Sequence, residues 1–120
     1  MKSELKTLPL DAFTASLGDA TPPADLDNAL QALWHEARAG GPGATVPKGA
    51  DDGMSDDWNT AHHLVQRQRD SDGRWVHGYL HRIEGDDGNA ARWYERASQP
   101  FPTLSLAEEW TQIATTLLAR

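Results

Sequence analysis

The stretch from Trp75 to Ala97, WVHGYLHRIEGDDGNAARWYERA, constrains the fold more than any other part of the chain. Trp75, Val76, Tyr79, Leu80 and Ile83 recur at the spacing of one helical face, and Ala90, Trp93, Tyr94 and Ala97 do so further on. Gly85-Asp86 lies between the two runs and offers a tight turn, because glycine takes the positive φ that closes a helix without steric cost. The pattern predicts a helical hairpin, one helix over about Arg74–Glu84 and the next over about Asp87–Ser98. Pro100 and Pro102 stop the second.

The remaining segments read the same way. Leu8, Leu10, Phe13 and Leu17 suit a short helix starting at Asp11, ahead of the break at Thr21-Pro22-Pro23. Leu26, Ala29, Leu30, Leu33, Trp34 and Ala37 predict a helix over about Ala24–Ala39, ended by Gly40-Gly41-Pro42. Residues 40–54 show no apolar period and are rich in Gly and Pro, so they read as a flexible loop. A helix over Ser55–Gln68 follows, with Ser55 as its cap, Asp56 and Asp57 at its positive end, and Trp58, Ala61, Leu64 and Val65 inward. Asp70-Ser71-Asp72-Gly73 reads as a turn. The last helix, Ser105–Leu118, carries a Ser105/Glu108 capping box and the stripe Leu106, Trp110, Ile113, Ala114 and Leu117. No segment alternates as a strand does. The expected architecture is all-α, about five helices in one domain spanning residues 1–120.

Composition narrows the function classes. A formal net charge of −7 argues against nucleic acid or an anionic membrane as partner, since both select basic surfaces. With no cysteine, neither disulfide nor thiolate chemistry is open to the chain. The opening MKSELKTLPLDAF lacks the apolar run of a signal peptide, and no stretch approaches membrane-span length. The expectation is a soluble, cytoplasmic protein.

Gly78, Gly85-Asp86, Ala90, Tyr94, Ala97 and Pro102 fall where a tetratricopeptide repeat places its small residues, turn and aromatic wedge. Trp75 sits one place late for that pattern, and His81 replaces its usual tyrosine. Asp57, Ala61 and Val65 form a fainter copy upstream, which makes the final helix resemble the cap such arrays need. A wider set comprises Ala32-Leu33-Trp34, Asp57-Trp58, Ala61-His62, Val76-His77, Tyr79-Leu80-His81-Arg82, Glu84-Gly85-Asp86, Asn89-Ala90, Trp93-Tyr94 and Arg96-Ala97. It resembles a family of short bacterial and fungal helical proteins with no assigned reaction. That resemblance implies tetratricopeptide-like hairpins and a bacterial-type cytosolic setting, and it supplies no catalytic residue. The loop at 40–54 departs from the short turn of that family.

Four of the five histidines lie in two predicted helices: His62 and His63 in one, His77 and His81 in the next. His77 and His81 are four residues apart and share a face, with Glu84 one turn on. The spacing suits two nitrogens and one oxygen on a zinc or nickel ion, with His62 as a third nitrogen. The competing reading places this stripe opposite the apolar face of its helix, toward water or a neighbouring helix. Arg82, Glu84, Asp86 and Asn89 crowd the following turn, as a pocket for an anionic ligand or as a helix cap beside an ion pair. Tyr94 suits an internal wedge, with Trp93 over the flank of the Ser55–Gln68 helix or of the last one; alternatively the pair forms a binding platform for a peptide or flat ligand.

Two functions follow. The first is a non-enzymatic helical module that binds a protein partner, or a second copy of itself, and needs no cofactor; its contacts come from His62, His77, His81, Arg82 and Glu84. The second is a metal-binding protein or metal-dependent hydrolase with His62, His77 and His81 as ligands and Glu84 as fourth ligand or general base. The second demands that the three imidazoles converge. The first expects them to diverge or to bond elsewhere.

Overall fold

A computed structural model describes residues 8–24, 26–40 and 56–119. The loop expected over 40–54 lies outside these residues from position 41 onward, as does the expected cap Ser55. Within the described residues the chain is all-helical. The helices are α1 (Leu10–Ala15, continued by a 3-10 turn Ser16–Gly18), α2 (Asn28–Gly40), α3 (Asp56–Gln66), α4 (Ser71–Ile83), α5 (Asp87–Arg96) and α6 (Leu106–Leu118). No helix among them is long and apolar enough to cross a membrane.

Side-chain caps decide where several helices begin. α2 starts at Asn28 rather than near Ala24, because the Asp27 carboxylate accepts from the Leu30 amide at 3.0 Å. α4 starts three residues earlier than the apolar period suggests. The Asp70 carboxylate accepts from the Gly73 amide at 2.9 Å, so the polar run read as a turn is the first turn of the helix. α6 begins as expected, with both halves of the Ser105/Glu108 capping box formed.

The helix ends follow a second rule. After α4, the Asp86 amide donates to the His81 carbonyl and the Gly85 amide to that of Arg82, with Gly85 at φ +79°. This is a Schellman motif, and it turns the chain directly into α5. α5 closes in the same way: the Gln99 amide donates to Tyr94 and the Ser98 amide to Glu95. Here a serine, Ser98, holds the left-handed position at φ +60°, and the helix stops at Arg96, two residues before the expected end.

α2 packs on α3, and α4 packs on α5. α4 also touches α2, α3 and α6, which makes it the central element. Consequently it is buried nearly all round: Trp75, Val76, His77, Gly78, Tyr79, Leu80 and Ile83 are all inside. A Cβ on Gly78 would lie 3.3 Å from the Ala90 carbonyl oxygen, the Trp93 Cβ and the Tyr94 amide nitrogen, so the glycine permits the close approach of α5. Across the other side of α4 lies α6, which also meets α2 and α1. Phe13 of α1 stacks on Trp110 of α6 at 5.7 Å, and the Trp110 indole donates to the Leu33 carbonyl at 3.1 Å. The Trp34 indole donates to Ser16 Oγ at 3.0 Å. Both buried indoles thus satisfy their single donor.

Candidate metal centre

α3 supplies His62, and α4 supplies His77 and His81. Their ring centroids are 5.2 Å apart for His62 and His77, 5.4 Å for His62 and His81, and 4.9 Å for His77 and His81. One nitrogen from each imidazole can be chosen so that all three lie within 4.8 Å of one another. The i, i+4 relation within α4 makes the first pair, and the packing of α3 on α4 brings in the third. The geometric demand of the metal reading is therefore met.

The surroundings are aromatic. Trp93 of α5 stacks on His77 with centroids 4.0 Å apart and planes inclined by 21°. The Arg96 guanidinium lies 5.0 Å from the centre of the same indole, and His77 also stacks on His81. Trp58 meets His62 edge-on at 6.1 Å. His77 is only 6% exposed, and its buried Nδ1 has no hydrogen-bond partner among the described residues. Burial first, and then the neighbouring His81 and His62, lower its pKa from 6.5 to about 3. At neutral pH this ring is uncharged, the form in which an imidazole binds a metal ion.

Of the two directions expected for the His77–His81–Glu84 stripe, water is corrected and a neighbouring helix is what its histidines meet. At about 100° per residue the stripe does lie half a turn from Trp75, Tyr79 and Arg82. However, α3 and α5 cover that side of α4, so His77 and Glu84 are buried and His81 is half-buried. A central helix has no outward face.

The other candidates separate. Glu84 Oε1 is 3.2 Å from His81 Nδ1, which sets it beside the convergent imidazoles. Asp86 Oδ2 is 3.8 Å from the same nitrogen and accepts from Asn89 Nδ2 at 2.7 Å. Arg82 points the opposite way. Its Nη1 donates to Glu109 Oε1 at 2.7 Å and its Nη2 to the Leu104 carbonyl, tying α4 to the start of α6. An anionic pocket built on Arg82, Glu84, Asp86 and Asn89 thus loses its cation. His63 is exposed and borders an open depression with Asn28, Asn59, Thr60, Leu64 and Arg67. Tyr94, 1% exposed, is in the core where a wedge was expected, while Trp93 is half-buried on His77 and is no exposed platform.

Sequence reasoning missed three polar features. Asp57 is 2.7 Å from His35 Nδ1 and 3.5 Å from Arg38 Nε, which joins α3 to α2. Tyr79 donates to the buried Glu36 at 3.3 Å. Glu109, 1% exposed, accepts from both Arg82 and Tyr94. The helical period placed Glu109 beside Trp110 and Ile113 on the edge of a buried stripe, which is the one local signal for it. Trp93 had a signal too, since it lies on the turn of α5 that Gly78 lets approach. No family model, curated protein or solved structure matches the chain.

Proposed function

We propose that this protein binds a divalent transition-metal ion, zinc or nickel, through His62, His77 and His81. The observation that carries the reading is the convergence of three imidazole nitrogens within 4.8 Å of one another, around a buried ring whose Nδ1 has no other partner among the described residues. Three points that close share a centre within about 2.8 Å of each, against about 2.0–2.1 Å for a zinc–imidazole bond. Each ring then moves inward by about 0.7 Å, a shift within the reach of small side-chain rotations in the half-buried His62 and His81. Nitrogen donors select zinc, nickel or copper over magnesium and calcium, which prefer oxygen. The low basicity of His77 supports the same reading, because no proton competes with the ion for that ring at neutral pH.

Three protein ligands leave a coordination position open, and an ion held by neutral groups keeps its full charge to polarise whatever occupies it. Glu84 is placed next to His81 rather than within the convergent set, which favours a supporting role over that of fourth ligand. The test is calorimetric titration of metal-free protein with zinc and with nickel, alongside His62→Ala and His81→Ala. The expected result is one ion per chain at micromolar affinity or tighter, lost in both variants while their circular dichroism stays native. Absence of binding at millimolar metal, or equal binding by the folded variants, refutes the proposal.

A further inference from the structure

Resting on that reading, we propose that Trp93 is a positioning residue for the metal centre: its indole lies flat against His77 and fixes the plane in which that ring meets the ion. A ligating imidazole is ordinarily held by a hydrogen bond from its second ring nitrogen to a carboxylate, carbonyl or water. The buried Nδ1 of His77 has no hydrogen-bond partner among the described residues, so that nitrogen gives the ring no such anchor. The Trp93 indole stands in its place, with ring centroids 4.0 Å apart and planes inclined by 21°. At that spacing the rings are already in contact. Turning the imidazole edge-on would drive its atoms inside the ~3.5–4.0 Å at which non-bonded carbons rest. The indole thus limits rotation about the His77 Cβ–Cγ bond, a terminal torsion that is otherwise broad. A ligand nitrogen needs that restraint, because it swings with the ring.

Two local features bring the indole there. Gly78 follows His77 in α4, and a Cβ on it would lie 3.3 Å from the Trp93 Cβ, so the glycine lets this turn of α5 descend beside the imidazole. Arg96, one turn after Trp93 on α5, sets its guanidinium 5.0 Å from the centre of the indole. The ring that orients His77 is therefore itself held, by a cation on its own helix and by the helix crossing beneath it.

Zinc titration calorimetry on the parent, Trp93→Leu and Trp93→Phe tests this, with Tyr94→Phe as a control for general loosening of the α4–α5 contact. Trp93→Leu keeps apolar bulk but no flat face, and should weaken zinc binding by on the order of 10-fold. Trp93→Phe keeps a ring to stack and should recover most of that loss. Tyr94→Phe removes the hydroxyl that donates to Glu109, and should bind zinc as the parent does. In the metal-free parent, proton NMR should show the His77 ring protons shifted upfield by the indole face, and Trp93→Leu should return them toward ordinary positions. A folded Trp93→Leu protein of parental affinity, a Phe variant no better than the Leu variant, or equal losses in Trp93→Leu and Tyr94→Phe would overturn the assignment. If the parent takes up no zinc, the metal reading fails by itself, and the ring-proton shifts still decide whether Trp93 fixes His77. Should Trp93→Leu not fold, the parental shifts carry the same decision: unshifted His77 ring protons refute the stacking role.

Discussion

Glu109→Ala is the perturbation whose cost the structure defines most completely. The carboxylate is 1% exposed, accepts from Arg82 Nη1 at 2.7 Å, and accepts from the Tyr94 hydroxyl, itself on a residue 1% exposed. Truncation strands the phenol, which costs about 1–3 kcal/mol as a buried donor without a partner. Arg82, with 17% of its side chain exposed, keeps water and the Leu104 carbonyl, so its loss is smaller, about 0.5–1 kcal/mol. Lost packing of the side-chain methylenes adds about 1 kcal/mol. The total, about 3–4 kcal/mol, agrees with the general cost of breaking one side of a buried pair. For a chain of this length it lowers Tm by roughly 10–15 °C. Burial pushes the Glu109 carboxyl up, against the pull of Tyr94 and Arg82, so the ionised form is held at a cost. The protonation-linked part of its contribution is therefore present below the ordinary carboxylate range and lost as pH rises through the raised value, whereas the hydrogen bonds and packing that truncation removes remain at pH 7. For the same reason, removing all three polar groups together, as Glu109→Leu with Tyr94→Phe and Arg82→Met, should change stability by only about 1 kcal/mol. Urea unfolding at pH 7 measures both, with the m-value checking that the transition is unchanged. A Glu109→Ala loss below about 1 kcal/mol, or a triple variant as unstable as the single one, refutes the reasoning. Since the triad occupies the side of α4 opposite the imidazoles, Glu109→Ala should still take up zinc at low temperature.

Other expectations are simpler. Folding lowers the His77 pKa to about 3, so the unfolded chain binds a proton that the folded one refuses. Its contribution to stability is complete above pH 6.5 and is lost as pH falls toward 3, at about 1.4 kcal/mol per pH unit; urea midpoints from pH 7 to 4 should show this slope in the parent and a shallower one in His77→Gln. Gly78→Val forces branched methyls into a crossing where even a Cβ would have 3.3 Å contacts, and should cost about 1–3 kcal/mol of overpacking; it should also shift the fluorescence of Trp93, whose Cβ is one of those contacts. Ser98→Gly relieves a left-handed residue at φ +60° and should stabilise by about 1 kcal/mol, read as a rise in Tm.

Much of this molecule is legible in its amino-acid order. The inward faces of α2 and α4, the Ser105/Glu108 cap and the Gly85 turn are where the spacing places them, because each depends on residues within a few positions of one another. Helix starts are displaced where a carboxylate, Asp27 or Asp70, outweighs the apolar period by satisfying first-turn amides. The pairing of His77 with His81 is equally local, an i, i+4 relation that any helix enforces.

What needed the tertiary structure was everything that joins separate helices. His62 converges on the α4 pair, Trp93 covers His77, and Arg82 turns to Glu109 although it adjoins His81 in the chain. Apolar periodicity says which face of a helix is buried but not how many neighbours bury it, so the position of α4 at the centre could not be read from its own residues. A side chain opposite the main apolar face is solvated on an outer helix and enclosed on a central one. Spacing along the chain determined the two-histidine stripe on one helix face. The packing of α3 and α5 against that face made it part of a three-histidine cluster with a buried His77, because register between helices is set by the summed fit of many small contacts that no single segment contains.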